Sequence, residues 1–156
     1  MTERQRRTID TFNHSEDKGE QRRSMQIIEY TEFQYDEIKN LYAAVGWTAY
    51  TDDMEALRKG YAHSLKILAA TEEDRLLGII RAVGDGSTIV WIQDLLVFPQ
   101  EQRKGVGTAL VNAMMDYYPA VRQMMLATDN TPNTIAFYRS VGFRMFSEIG
   151  CSGFVR

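Results

Sequence analysis

The chain has 156 residues, of which 44% are hydrophobic and 25% charged, as expected for one globular domain with a full core. Its formal net charge of −3 gives no electrostatic footprint for nucleic acid, and it contains no apolar run of about eighteen residues that would predict a membrane span. Two scattered histidines and the single Cys151 predict neither a metal site nor an intrachain disulfide, and a lone thiol fits a reducing cytoplasm.

The first 24 residues are polar, with few large apolar side chains. Such a composition cannot bury enough surface to fold alone. We therefore expect an N-terminal extension over residues 1–24 and a folded domain over residues 25–156.

The folded part begins with a strand and two helices. Residues 25–31 read as the strand, and from Tyr35 apolar residues recur at helical spacing up to Gly46, a plausible C-cap. Residues 47–50 are expected to form a loop. A second helix should follow, capped by Thr51 or Asp52.

The middle of the chain reads as three strands. Residues 65–70 and 76–83 predict a hairpin across the polar turn of residues 71–75. A second tight turn is predicted at residues 84–87, and the strand of residues 88–98 follows it.

Pro99 closes this strand, because proline cannot continue a sheet ladder. After a short polar loop, helical spacing predicts one apolar face made of Leu110, Ala113, Met114 and Tyr117. Residues 123–128 then predict a strand and residues 131–141 a helix, and two short strands are expected from Phe143 onward.

The loop between the third of these strands and its helix has the features of an anion site. The first amide N–H groups of a helix have no partner inside it, and the helix dipole adds positive charge there. Gly105 and Gly107 let an anion approach the backbone, and Arg103 and Lys104 add charge of the right sign. The alternative is an ordinary turn that binds nothing.

Two motifs together carry a resemblance to a known family. Gln102-x-x-Gly105-x-Gly107 follows the strand, and a distant Tyr138-x-x-x-Gly142-Phe143 element completes the pattern. They resemble the coenzyme-A loop and the C-terminal signature of the GNAT family of N-acetyltransferases, and the resemblance covers roughly residues 25–156.

The order of elements alone predicts an α/β or α+β domain with a single sheet covered by helices. The resemblance implies more: a single-domain GNAT fold, in which the middle parallel strands of a mixed sheet splay apart. It also implies acetyl-CoA as cofactor. The residues that would bind it are Leu95, Leu96, Val97, Gln102, Arg103, Lys104, Gly105, Val106, Gly107, Thr108, Asn133 and Tyr138.

The resemblance also suggests catalytic groups. A backbone N–H near Val97 would polarise the acetyl carbonyl, and Tyr138 would be the general acid for the departing thiolate. Asp94 is the first candidate for a base and Asp129 the second, although a structural role is the alternative for both. Where many members have an asparagine that touches the coenzyme, this chain has Thr131, so Asn133 is expected to supply that contact.

Aromatic residues predict an acceptor pocket. Trp47, Tyr50 and Trp91 could wall it, since aromatic faces suit an amine cation or an aromatic substrate, whereas core packing is the alternative. The Val-Gly-Trp-x-x-Tyr loop is similar to a bacterial branch of uncharacterised acetyltransferases, and distantly to plant serotonin acetyltransferases.

The resulting hypothesis is an acetyl-CoA-dependent N-acetyltransferase in which a primary amine attacks the thioester directly. A small amine is favoured over a protein acceptor. The rival hypothesis is a catalytically silent CoA-binding module that acts by interaction. The sequence does not fix the oligomeric state; dimers are common in the family, which makes a homodimer a candidate.

Overall fold

The computed structural model describes residues 24–156, so the predicted extension lies outside the described residues except for Ser24. The chain divides into two compact units, the sheet unit up to Leu126 and the C-terminal unit from Ala127 to Arg156. No helix within residues 24–156 is long and apolar enough to cross a membrane.

The described part of the sheet unit, residues 24–126, contains five strands and four helices. In chain order these are β1 (Gln26–Glu29), α1 (Tyr35–Ala44), α2 (Thr48–Thr51), α3 (Met54–Ala62), β2 (Lys66–Glu72), β3 (Arg75–Gly84), β4 (Ile89–Val97), α4 (Val106–Tyr117) and β5 (Gln123–Leu126). A 3₁₀ turn, Pro99–Glu101, connects β4 to the loop before α4.

The strands form one mixed sheet in the order β1-β2-β3-β4-β5, with antiparallel neighbours except for the parallel pair β4 and β5. This confirms the predicted fold class. Pairing with β5 ends at Ile92, although β4 continues to Val97. A bulge lies at the same place, because the register with β3 shifts between Arg81 and Ala82. Within residues 24–156, the end of β4 therefore has a neighbouring strand on one side only.

Helices cover both faces of the sheet. On one face α1 and α3 pack against apolar strand residues around the fully buried Ile38, Leu41 and Tyr42. On the other face α4 packs against β2, β3 and β4 through Leu110 and its buried neighbours. Side chains of a strand alternate between the two faces, so the continuous buried runs of β2 and β3 show that both faces are covered at the centre of the sheet.

The segment predicted as a loop at residues 47–50 instead begins the short helix α2. The predicted cap of the next helix was also wrong, because Asp53 rather than Thr51 or Asp52 caps α3. The Asp53 carboxylate accepts a hydrogen bond from the Ala56 N–H at 2.9 Å, whereas the Thr51 hydroxyl donates to a carbonyl of α2.

The hairpin between β2 and β3 is tighter than predicted. Only Glu73 and Asp74 leave the strands, and both have the positive φ of a two-residue hairpin turn, 49° and 64°. The predicted turn at residues 84–87 is closed by Asp85, whose carboxylate accepts three backbone N–H groups.

The C-terminal unit contains α5 (Pro132–Ser140), which Thr131 caps, and a 3₁₀ turn, Phe146–Ile149. The two final strands predicted from Phe143 onward were wrong. Glu148 accepts a hydrogen bond from the Met145 N–H at 2.8 Å and pairs with Arg139 at 2.6 Å. These local contacts fold the backbone into a turn instead of an extended strand.

Candidate functional site

The loop between β4 and α4 adopts a backbone that favours glycine at its end. Gly105 is the N-cap of α4 with φ 86° and ψ 0°, and no side chain caps the helix. Arg103 also has a positive φ, 63°, so the backbone turns sharply twice within three residues. A left-handed turn directly before a helix presents successive N–H groups to the same side.

These N–H groups are open. Among residues 24–156, no protein acceptor is found for the backbone N–H of residues 103–108, and the first bond of α4 joins the Ala109 N–H to the Gly105 oxygen at 2.9 Å. A Cβ placed on Gly105 would meet no atom within 4 Å. Open amides, the helix dipole and free space beside a glycine together suit an anion.

One of the two expected loop cations, Lys104, is part of an ion pair within the loop. The Lys104 ammonium lies 3.2 Å from a carboxylate oxygen of Glu101, whose other oxygen is 2.8 Å from the Arg75 guanidinium. The hydrogen bonds from Arg75 and Lys104 hold the pKa of Glu101 below its usual value. Arg103 is exposed.

The end of β4 presents backbone groups away from β3. The Phe98 N–H donates to the Leu77 oxygen at 2.9 Å, so by the alternation of an antiparallel pair Leu96 also bonds toward β3. Leu95 and Val97 therefore turn their N–H and C=O groups to the side from which β5 has departed. The Val97 oxygen accepts the Gln102 side chain at 3.1 Å, which leaves the N–H groups of both residues as donors along this edge.

Asp94 lies in a buried network that joins three elements. Its Oδ2 atom forms an ion pair with Arg81 of β3 and accepts a hydrogen bond from the Tyr42 hydroxyl of α1 at 2.7 Å. Tyr61 of α3 donates to that hydroxyl at 3.3 Å. Burial raises the pKa values of Tyr42 and Tyr61 far above the usual phenol value, so both stay protonated.

The second oxygen of Asp94 is unusual. Among residues 24–156, Oδ1 is the buried side-chain atom for which no hydrogen-bond partner is found. The Asp94 side chain is fully buried. A carboxylate with one saturated oxygen and one free oxygen keeps a lone pair able to accept a proton or a water molecule.

Two of the predicted acceptor residues lie together. Trp47 and Tyr50 stack with ring centroids 5.6 Å apart, and each is 39% exposed. Both rings contact Tyr42, whose hydroxyl is bonded to Asp94. Trp91 is half-buried on β4, between Val83 of β3 and Met125 of β5 in the sheet register.

Tyr138 lies in the C-terminal unit, on α5, where its ring contacts Phe137 and Phe143 edge-on. Burial, and then the charge of Asp129, raise the pKa of Tyr138 to about 12. The hydroxyl is therefore protonated at neutral pH and can donate a hydrogen bond.

The first turn of α5 explains the role of Thr131, which stands where the resemblance predicts an asparagine. The Thr131 hydroxyl caps the helix by accepting the Thr134 N–H at 3.3 Å, and Asn133 is exposed beside it. Asp129 also accepts a hydrogen bond from the Thr134 hydroxyl. Burial opposes ionisation of Asp129, but hydrogen bonds from neighbouring threonines hold its pKa below the usual value.

The sequence interpretation missed Arg81, Tyr42 and Tyr61 as partners of Asp94. A signal was present, since Arg81 is the one charge in the interior of β3 and Asp94 is the one charge in β4. Two such strands next to each other predict a buried ion pair, because an unpaired charge in a sheet core is costly.

Comparison with known proteins gives a consistent result. The model of the Acetyltransferase (GNAT) family matches residues 26–143. Serotonin N-acetyltransferase 2, a chloroplastic protein of Oryza sativa subsp. japonica, is 29% identical over 114 residues, which cover 69% of this chain and 55% of that protein. The chain spans 55% to 63% of the length of the curated relatives that it matches.

Solved structures are also similar. A GNAT-family acetyltransferase from Streptococcus pneumoniae is 36% identical with a TM-score of 0.77, covering 85% of this chain and 97% of that chain. An aminoglycoside N-acetyltransferase in complex with CoA is 18% identical with a TM-score of 0.64, covering 85% and 93%. The second likeness is one of fold alone.

Proposed function

The chain belongs to the acetyltransferase (GNAT) family, and from this we propose that it is an N-acetyltransferase that transfers an acetyl group from acetyl-CoA to a primary amine. The single observation that supports this most is the set of open N–H groups at residues 103–108. The matched region begins at residue 26, which supports a catalytic domain over residues 25–156.

The residues present fit the coenzyme. The open amides at residues 103–108 and the free space beside Gly105 suit a diphosphate, and Arg103 supplies an exposed guanidinium. The N–H groups of Leu95 and Val97 line an edge of β4 that none of the five described strands covers. When bound, acetyl-CoA supplies a thioester whose carbonyl carbon is open to attack by an amine.

Val97 and Tyr138 have separate roles in this proposal. The Val97 N–H donates a hydrogen bond to the acetyl carbonyl oxygen, where negative charge develops; losing such a donor typically costs about a hundredfold or more in rate. The Tyr138 hydroxyl holds the proton that the departing thiolate requires. Its raised pKa keeps that proton in place at neutral pH.

Asp94 is our candidate for accepting the proton of the amine. A primary ammonium with a pKa of roughly 10 is neutral in about one molecule in a thousand at pH 7, so a proton acceptor is useful. The unpaired Oδ1 of Asp94 has the capacity for it. This atom is buried, so we do not expect the amine to contact it directly. We propose that a bound water molecule carries the proton from the amine to Oδ1.

The acceptor is proposed to be a small cationic amine with an apolar or aromatic body. Trp47 and Tyr50 offer exposed, stacked rings, and the half-buried Trp91 of β4 is our third candidate for the pocket wall. The segment from Trp47 to Asp53 contains two carboxylate side chains and no lysine or arginine, which favours a cation. The name of the rice relative, a serotonin N-acetyltransferase, suggests where to begin.

The test is an acetyl-CoA turnover screen with polyamines, aromatic amines, amino sugars and peptides, run on the wild type and on Tyr138→Phe. We expect Tyr138→Phe to slow acetyl transfer while CoA affinity is retained. Tyr35→Phe is the matched control, since Tyr35 is 50% exposed. If CoA binds and no amine in the panel is acetylated, the chain is a silent CoA-binding module.

Two further expectations complete the proposal. We expect the protein to work in the cytoplasm, where acetyl-CoA and amines meet and where the exposed thiol of Cys151 stays reduced. We also expect a homodimer, which light scattering after size exclusion measures directly.

A further inference from the structure

Three charged side chains connect the loop before α4 to the turn between β2 and β3. Glu101 accepts hydrogen bonds from Arg75 at 2.8 Å and from Lys104 at 3.2 Å. Arg75 also pairs with Glu72 of β2 at 3.2 Å, so its guanidinium connects Glu101 to the hairpin. We call these three residues, Arg75, Glu101 and Lys104, the loop anchor.

Glu101 is an unexpected residue at this position. It is only 8% exposed, and it lies two residues before Arg103, the first residue with an open N–H. Its own N–H donates to the Phe98 oxygen at 2.8 Å, which fixes the 3₁₀ turn. A carboxylate so close to a phosphate site should repel the ligand and weaken coenzyme binding. Its presence there calls for a second, favourable effect on binding.

Lys104 is likewise not positioned as a free counter-ion. The Lys104 ammonium donates a hydrogen bond to Glu101. The adjacent residue, Arg103, is exposed and has a positive φ. The loop therefore uses one of its two cations to hold itself together. The other is available to the ligand.

We propose that Glu101 is a positioning residue for the coenzyme: through Arg75 and Lys104 it fixes the backbone of residues 102–105, so that the open amides are aligned before the diphosphate binds. The inference rests on the proposed use of acetyl-CoA. It assigns charge neutralisation of the diphosphate to Arg103 and a holding role to Lys104. Alignment before binding lowers the entropy cost of binding.

The sign of one change in affinity tests this. Glu101→Gln makes the region beside the loop more positive by one charge. If the Glu101 carboxylate only repels phosphate, the variant should bind CoA more tightly. The loop anchor predicts weaker binding, with the dissociation constant rising about three- to fivefold. Calorimetry with CoA measures it without any turnover.

Glu55→Gln is the matched control. Glu55 also pairs with an arginine, Arg58 at 2.7 Å, but on the exposed surface of α3. Glu55→Gln changes the net charge by the same amount as Glu101→Gln. CoA affinity should stay within about 1.5-fold of wild type, because a charge on the exposed surface is screened. Lys104→Gln should weaken CoA binding less than Arg103→Gln does.

A second measurement needs no ligand. Hydrogen exchange of the bonded N–H groups of Glu101 and Gln102, which donate to the Phe98 and Pro99 oxygens, should be faster in Glu101→Gln and in Arg75→Gln than in wild type, because the loop without its anchor opens locally. Arg75→Gln also serves if Glu101→Gln does not fold. Tighter or unchanged CoA binding in Glu101→Gln overturns the inference. If wild type does not bind CoA, the proposed coenzyme is wrong, and unchanged loop exchange in both variants then rejects the anchor separately.

Discussion

The buried pair of Arg81 and Asp94 makes a strong prediction about stability. Asp94→Asn keeps the shape of the side chain and removes its charge, so the Arg81 guanidinium, with 7% of its side chain exposed, loses its counter-ion. Leaving one charge of a buried pair uncompensated typically costs about 3–5 kcal/mol. The asparagine oxygen can still accept from Tyr42, so we expect a value near about 3 kcal/mol.

The cost should depend on the partner. If Arg81→Met is added to Asp94→Leu, no buried charge remains, and only the Tyr42 hydroxyl loses its acceptor, so the double variant should be more stable than Asp94→Leu alone. The assay is urea unfolding of the wild type, of the single variants Asp94→Leu and Arg81→Met, and of the double variant, with Asp94→Asn measured beside them. For a chain of this length, about 3 kcal/mol corresponds to a fall in Tm of about 6–12 °C.

The reasoning has a clear opposite outcome. If both single variants lose less than about 1 kcal/mol, the pair is not an essential part of the core, and water must compensate the charges. Glu55→Gln removes a carboxylate from the exposed pair with Arg58, and the unfolding midpoint should not change.

Three further predictions address the loop, the acid and the acceptor. Gly105→Ala forces a Cβ into a backbone with φ 86° and should lower the free energy of unfolding by about 1–2 kcal/mol; an unchanged urea midpoint would contradict the assigned turn. Since the pKa of Tyr138 is raised to about 12, its hydroxyl stays protonated up to about pH 11, so kcat should show no alkaline decline due to this residue between pH 7 and 10. A decline in that range that Tyr138→Phe abolishes would refute it. Trp47→Ala should raise KM for a cationic aromatic amine about five- to tenfold and leave KM for acetyl-CoA unchanged, as steady-state kinetics can measure; an equal rise for both substrates argues that Trp47 only supports the fold.

Local patterns predicted the part of the chain on which the proposal depends. The strand that becomes β4, the glycine loop and α4 are each encoded within a few residues, by alternation, by Pro99 and by helical spacing. The parallel pairing of β4 with β5 could not be derived in this way. It required the family resemblance, because strands that are about thirty residues apart in sequence carry no local sign of their register.

The errors have physical reasons as well. After Phe143 the sequence is apolar enough for strands, but the contacts of Glu148 with Met145 and Arg139 stabilise a turn that propensity does not reveal. The ion pair of Lys104 with Glu101 was not foreseen, because Glu101 lies three residues away in a 3₁₀ turn whose geometry the sequence did not predict. The role of Lys104 at the phosphate stays a prediction. Side-chain pairing depends on such backbone details, so sequence patterns identify candidates and geometry decides between them.

The most direct measurement of the central claim is an amide NMR titration of the protein with CoA and, separately, with pantetheine, which lacks the diphosphate. We predict that CoA shifts the N–H signals of residues 103–108 strongly, because these groups change from water to phosphate as their partner. Pantetheine should shift signals around Leu95 and Val97 and leave the loop unchanged. Saturable CoA binding without any shift at residues 103–108 would contradict the account.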